Sequence, residues 1–261
     1  MDTNVIGVFD SGVGGLSVLK HIRAALPRHD LLYVADSGHV PYGDKTQDYI
    51  RERSLWLTQF LVDEGAAVVV IACNTATAAA AGYLREKFTL PIVAMEPAVK
   101  PAVAATRSGV VGVLATAGTL ESVRFAALLE QYAGDVEIVT QACPGLVEQV
   151  EAGDLDSAAT RALVERYTQP LVARGADTLV LGCTHYPFLR SVITDVAGPD
   201  VRLIETGEAV ARQVVRRTTD TRELSADATA SEKFWTTGDA PGARRIVAKL
   251  WGRAATVAAL P

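Results

Sequence analysis

The chain has 261 residues, a length for one large domain or two smaller ones, and 49% of them are apolar, enough for a sizeable core. A formal net charge of −5 without blocks of like charge argues against a nucleic-acid surface. The first residues lack the basic and apolar regions of a signal peptide, and three cysteines in such a chain read as free thiols in a reducing, cytoplasmic compartment.

Val5 to Phe9 read as a buried strand, followed by Asp10-Ser11-Gly12-Val13-Gly14-Gly15 and an amphipathic helix from about Leu16 to Leu26, ended by Pro27. The glycine spacing is neither a nucleotide loop, since no Gly-Lys-Ser/Thr follows, nor a dinucleotide fingerprint, since Ser17 stands at the third glycine position. Leu31 to Ala35 is a second strand. It delivers Asp36-Ser37-Gly38-His39 and Pro41-Tyr42-Gly43-Asp44 to a strand end, where open α/β sheets bind ligands. A helix follows over about Thr46 to Glu64.

Gly65 to Leu84 carries no charge, a run long enough to cross a bilayer. Cys73, Asn74, Thr75 and Thr77 interrupt it and alanine dominates its second half. It therefore reads as a β-branched strand turning into a helix, and no membrane is expected. The strand ends Ala72-Cys73-Asn74-Thr75. Pro91 to Ala94 is a fourth strand, and strand–helix alternation throughout predicts parallel sheets covered on both faces.

The pattern then restarts. Val111 to Thr119 echoes Ile6 to Gly12, and Thr178-Leu179-Val180-Leu181-Gly182-Cys183-Thr184-His185 echoes Val68 to Thr75. Gly7 precedes Cys73 by 66 residues and Gly112 precedes Cys183 by 71, so two markers recur in order at nearly one spacing. The second half adds a strand over Val136 to Thr140, a helix carrying Glu148 and Glu151, and a helix over Asp156 to Arg174. A strand over Val201 to Ile204 and a helix from Glu205 to about Arg217 follow. Thr218 to Glu232 reads as a polar surface loop. The strand Phe234 to Thr237 and helix Pro241 to Trp251 have no counterpart in the repeat and return to the first half. The expectation is an α/β fold of two similar domains, 1–97 plus 208–261 and 98–207, related by a pseudo-twofold axis with a cleft between them.

Two thiols presented this way have four uses: a disulfide, a metal site with His185, a nucleophile with its base, or two acid/base groups across one substrate. The last accounts for the repeat. Racemising an amino acid needs a base on one face of the α-carbon and an acid on the other. Burial, a helix start and neighbours such as Asp10 or His185 can tune a thiol for that work. Ser11, Asn74, Thr75, Thr116, Thr119 and Thr184 can supply donors to a developing carbanion. No lysine has an obvious pyridoxal-binding character.

The segments DSGVGG (10–15), ADSGHVPYG (35–43), CNTATA (73–78), ATAGT (115–119), CTHYPFL (183–189) and FWTTGD (234–239) resemble, in order and over nearly the whole chain, those of the glutamate racemases of the aspartate/glutamate racemase superfamily. The resemblance implies two flavodoxin-like domains with the site between them, usually in a homodimer. It also implies a cofactor-independent, two-cysteine interconversion of L- and D-glutamate that supplies peptidoglycan synthesis. It matches Cys73 to the base acting on D-glutamate and Cys183 to the one acting on L-glutamate. Asp10 and His185 match their helpers, and Glu151 a further acid near the site. Asp10, Ser11, Asp36, Ser37, Pro41, Tyr42, Gly43, Cys73, Asn74, Thr75, Thr116, Thr119, Cys183, Thr184 and His185 match substrate-binding positions. The chain departs from the family's usual apolar run with Gly145-Leu146-Val147-Glu148, and from its usual Asp-Ser-Gly with Glu205-Thr206-Gly207. The rival readings are an aspartate or hydantoin-type racemase of the same superfamily and a non-catalytic amino-acid-binding module. All rest on one expectation, that sulfurs 73 and 183 face a common pocket.

Overall fold

The computed structural model describes residues 5–218 and 230–260, so most of the polar stretch between Thr218 and Glu232 lies outside the described residues. Ten strands fall in the described residues: β1 (Val5–Asp10), β2 (Asp30–Ala35), β3 (Val68–Ile71), β4 (Ile92–Ala94), β5 (Val110–Ala115), β6 (Glu137–Ala142), β7 (Thr178–Leu181), β8 (Arg202–Ile204), β9 (Glu232–Thr236) and β10 (Val257–Ala259). They form two wholly parallel sheets. One has the order β10-β9-β2-β1-β3-β4, the other β6-β5-β7-β8.

The two sheets repeat one topology. In each, the first strand of the half lies between its second and third, the 2-1-3-4 order of a flavodoxin-like sheet. The registers correspond as well: Gly7 pairs with Val69, and Gly112 with Leu179. These two glycines, the markers of the repeat, face tight helix packing. A methyl on Gly7 would lie 3.0 Å from Leu61 Cβ on the helix Gln47–Asp63, and one on Gly112 would lie 2.9 Å from Leu171 Cδ1 on the helix Ala158–Ala173. The C-terminal strands break the symmetry, because β9 pairs with β2 and β10 with β9, extending only the first sheet.

Strands β3 and β7 are sealed from water. Val68–Ile71 and Thr178–Leu181 are buried at every position, which explains their uninterrupted apolar character. One core cluster runs continuously through both halves, from Ile6, Leu16 and Leu19 to Leu179, Leu189 and Ile193. Separate clusters cover the outer faces of the two sheets. The chain crosses between sheets after β4 and again after β8. No helix among the described residues is long and apolar enough to cross a membrane.

The two cysteines leave their strands differently. Cys73 is the N-cap of the helix Asn74–Lys87, its sulfur accepting from the Ala76 N–H at 3.4 Å. Cys183 was expected at an equivalent helix start, but the chain there enters a turn and a 3₁₀ helix, Tyr186–Leu189, before the α-helix Arg190–Ala197. Pro187 has no N–H with which to close an α-helical bond onto the Cys183 carbonyl. Tyr186 N donates to Cys183 O and Phe188 N to His185 O instead, both three residues back.

Candidate active site

Strand order places both thiols at switch points. After β1 the chain steps to β2 on one side, then to β3 on the other, so the ends of β1 and β3 border a crevice, as do the ends of β5 and β7. Asp10, Ser11 and Cys73 occupy the first crevice mouth; Thr116, Cys183 and Thr184 occupy the second. The two mouths border one small cavity. Cys73 and Cys183 both line it, together with Ser11, Pro41, Tyr42, Gly43, Asn74, Thr75, Thr116, Thr184 and His185. All three cysteines are buried and unbridged. Among the described residues no group of three His, Cys, Asp or Glu side chains is arranged to hold a metal ion.

The halves are stitched together around the cavity by the residues that follow each cysteine. Asn74 Nδ2 donates to the Gly182 carbonyl at 2.9 Å, and Thr184 Oγ1 donates to Asp10 Oδ2 at 3.2 Å. The Thr75 hydroxyl meets those of Thr116 and Thr119 at 2.9 and 3.1 Å. Asn74 Oδ1 is buried without a partner, so this cavity-lining residue retains an unused acceptor.

Around Cys73 the field is acidic. Its thiol lies 3.9 Å from the Ser11 hydroxyl, which in turn donates to Asp10 Oδ1 at 3.3 Å. Asp10 is fully buried and accepts the N–H groups of Ser11 and Gly15 at 2.7 and 2.5 Å. Burial pushes its carboxyl up to about 6, with His185 pulling the other way and Glu151 adding to the rise. Burial, then the Asp10 charge, holds the Cys73 thiol far above the ordinary range, against the Ala76 N–H and the Ser11 hydroxyl.

Around Cys183 the arrangement is a chain of three. Its sulfur lies 3.6 Å from His185 Nδ1, and His185 Nε2 donates to Glu151 Oε1 at 2.6 Å. Burial alone would lower the His185 pKa, but the Cys183 sulfur and the Glu151 carboxylate outweigh it and raise the imidazole well above its usual value. Glu151 is held from the first half as well, by Val13 N at 2.6 Å and by Ser37 Oγ at 3.2 Å. The loop glycines admit this pair: a methyl on Gly12 would lie 1.9 Å from Glu151 Oε1, and one on Gly14 would lie 2.3 Å from His185 Nδ1.

Five expected residues stand behind the cavity wall: Asp10, Asp36, Ser37, Thr119 and Glu151. Asp36 has no capacity left for a ligand, since Arg53, Tyr42 and Thr237 take both its oxygens. Asp36 and Ser37, expected as direct substrate contacts, lie off the cavity lining. Strand-end position marked both, but their side chains turn to protein partners. Val147 and Gly182 line the cavity and were not anticipated. Val147 had a signal, since it lies one helical turn before Glu151 on the helix Leu146–Glu151. Cys143 lies off the cavity lining, with burial pushing its thiol up to about 12.

The sequence model of the Asp/Glu/hydantoin racemase family matches residues 6–214. A glutamate racemase of Stutzerimonas stutzeri is 56% identical over 257 residues, covering 98% of this chain and 97% of its own length. Among solved structures, a glutamate racemase from Bacillus anthracis superposes with a TM-score of 0.89 at 32% identity, over 99% of this chain and 97% of the other. The Escherichia coli glutamate racemase, solved with L-glutamate and the activator UDP-MurNAc-ala, superposes with a TM-score of 0.87 at 32% identity, over 98% and 97%.

Proposed function

The chain belongs to the Asp/Glu/hydantoin racemase family, and from that premise we propose that it interconverts L- and D-glutamate by a two-thiol mechanism without a cofactor. The observation that carries this reading is that Cys73 and Cys183, 110 positions apart, line one cavity from opposite sheets. One thiolate removes the α-proton on its side of the carbon while the opposite thiol delivers a proton on the other, and the two exchange protonation states with each turnover. Cys73 acts on D-glutamate and Cys183 on L-glutamate.

The surroundings suit the roles. Burial and the Asp10 charge oppose ionisation of the Cys73 thiol. The ammonium group of an entering amino acid brings the missing positive charge and lowers the cost of a thiolate. Asp10 takes up or returns protons beside Cys73, and the His185–Glu151 pair does so beside Cys183, with Nδ1 accepting from the thiol or donating to the thiolate. Asn74, Thr75, Thr116 and Thr184 surround the α-carboxylate and stabilise charge developing on it. Ser11 and the Pro41–Gly43 segment hold the remainder of the substrate.

In this reading residues 1–97 plus 208–261 and 98–207 are two domains, the enzyme is a cytoplasmic homodimer, and its D-glutamate feeds peptidoglycan synthesis. The test is polarimetry on each enantiomer of glutamate and aspartate without added cofactor or metal, together with α-proton exchange in heavy water. Racemisation of glutamate with solvent deuterium in the product is expected. Aspartate turning over faster than glutamate overturns the substrate, and absence of exchange from either amino acid makes the protein a binding module.

A further inference from the structure

The most elaborate polar cluster outside the cavity lining is built on Asp36. This carboxylate is fully buried at the end of β2. Arg53, on the helix Gln47–Asp63, grips it at both oxygens, Nη2 to Oδ1 at 2.6 Å and Nε to Oδ2 at 3.0 Å. The hydroxyl of Thr237, just beyond β9, donates to Oδ1 at 2.8 Å and accepts the Gly38 N–H at 3.1 Å. The fourth donor is the Tyr42 hydroxyl, on Oδ2 at 2.5 Å. Three elements of the first half thus converge on one group, and the C-terminal FWTTGD segment, otherwise without a role, supplies a partner.

A buried ion pair is poor at stabilising a fold: desolvation consumes most of the attraction, and apolar side chains of similar volume do as well. What such a pair does well is fix a geometry. Here the geometry leads to the cavity. Tyr42 is buried and, with Pro41 and Gly43, forms one cavity wall. On its far side that wall meets the loop after β5, where a methyl on Gly118 would lie 3.0 Å from the Gly43 carbonyl. The wall is held on one side by a four-bonded carboxylate and on the other by the opposite half, so its backbone is set before a ligand arrives.

We propose that Asp36, Arg53 and Thr237 are positioning residues that act through the Tyr42 hydroxyl to set the Pro41–Gly43 wall, and through it the affinity for the amino-acid substrate. The proposal rests on the glutamate reading above. Apart from the Asp36 N–H, which donates to the Asp10 carbonyl at 3.0 Å, no hydrogen bond among the described residues joins the cluster to the two thiols, Asp10, His185 or Glu151, so loosening it weakens binding of ground and transition states alike. That raises KM and leaves kcat.

The experiment is steady-state racemisation of glutamate by Thr237→Val, Arg53→Met and Arg53→Lys, with melting temperatures recorded alongside. Thr237→Val, which removes one neutral bond from a near-isosteric side chain, is expected to raise KM about fivefold with kcat within about twofold of wild type. Arg53→Met is expected to raise KM by more than about tenfold, and Arg53→Lys, which keeps the charge without the fork, to fall between. A merely structural cluster predicts the opposite split: lower melting temperature and lower kcat at unchanged KM. That result, or unchanged KM in all three variants, overturns the proposal while leaving the activity in place. Should Arg53→Met fail to fold, Thr237→Val and Arg53→Lys decide alone. Wild-type protein inactive on glutamate overturns both readings.

Discussion

The two halves share a strand order, a strand-end cysteine and a hydroxyl-rich first loop, yet they surround their thiols with opposite chemistry. At corresponding positions the first half has Asp10 where the second has Ala115, and the second has His185 where the first has Thr75. Cys73 caps an α-helix and sits beside a carboxyl raised to about 6; Cys183 opens a 3₁₀ turn beside an imidazole raised above its usual value. Topology therefore duplicates the placement of the sulfurs, while a few substitutions at the repeat positions make their proton partners different. In the proposed mechanism a substrate between them meets a symmetric pair of reacting atoms in an asymmetric field. Glutamate racemisation has an equilibrium constant of one, so kcat/KM is equal in both directions, and the asymmetry can emerge only in kcat and KM taken separately or in steps that use one base at a time.

Removing either sulfur is the harshest way to break the comparison. Cys73→Ser and Cys183→Ser are each expected to lower racemisation by at least about 10³-fold, since both proton transfers lie on the path. The variants are expected to differ in what remains. Each retains the base for one enantiomer, so HX elimination from a 3-substituted glutamate persists for opposite enantiomers in the two proteins. Elimination from the same enantiomer in both would remove the two-sided arrangement.

The proton partners separate the halves by pH. Asp10 holds its proton to about 6 in the folded chain against 3.8 ordinarily, so the unfolded chain binds fewer protons over that interval. Stability consequently falls as pH rises from about 4 to about 6, by about 3 kcal/mol at most. His185 is likewise raised, so its contribution is complete below the ordinary 6.5 and is lost as pH climbs through the folded value. Denaturant unfolding across pH is expected to show both slopes in wild type. Asp10→Asn is expected to lack only the acidic slope and His185→Gln only the one above 6.5. If one substitution flattens both intervals, the two halves share a single titrating unit and the comparison collapses.

Much of this was legible beforehand, for definable reasons. Val68–Ile71 and Thr178–Leu181 announce themselves because a strand covered on both faces needs an uninterrupted apolar run. The repeat was readable because Gly7 and Gly112 answer the same packing demand from Leu61 and Leu171 on the covering helices. Depth around the cavity was not readable. Asp36, Ser37 and Ser11 share a strand-end address, yet only Ser11 lines the cavity, and what separates them is their distant partners: Arg53 and Thr237, 17 and 201 residues away, for Asp36, and Glu151, 114 residues away, for Ser37. The local sequence marks Glu151 by resemblance, but its attachment to the Val13 N–H depends on how the two sheets meet. The short edge strand Val257–Ala259 carried too few residues for a periodicity to register.

The gentlest probe uses a pair of serines that the repeat aligns, Ser17 and Ser122. Each donates to the carbonyl three residues before it, Ser17 to Gly14 at 2.9 Å and Ser122 to Thr119 at 2.7 Å. Beyond that they diverge. Ser122 caps its own helix by accepting the Phe125 N–H at 3.1 Å, whereas Ser17 lies inside its helix and shares its single O–H with a second acceptor across the halves, the Thr184 carbonyl at 2.8 Å. Ser122→Ala is therefore expected to cost about 1 kcal/mol of stability, the usual loss for an N-cap, with kcat and KM unchanged. Ser17→Ala is expected to cost no more than about 1 kcal/mol, and to lower kcat about two- to fivefold, because it frees the carbonyl between Cys183 and His185. Chemical denaturation paired with steady-state assays reads both. A kinetic loss of the same size in Ser122→Ala would mean that the two serines still serve one purpose, and that the divergence of the halves stops at their proton partners.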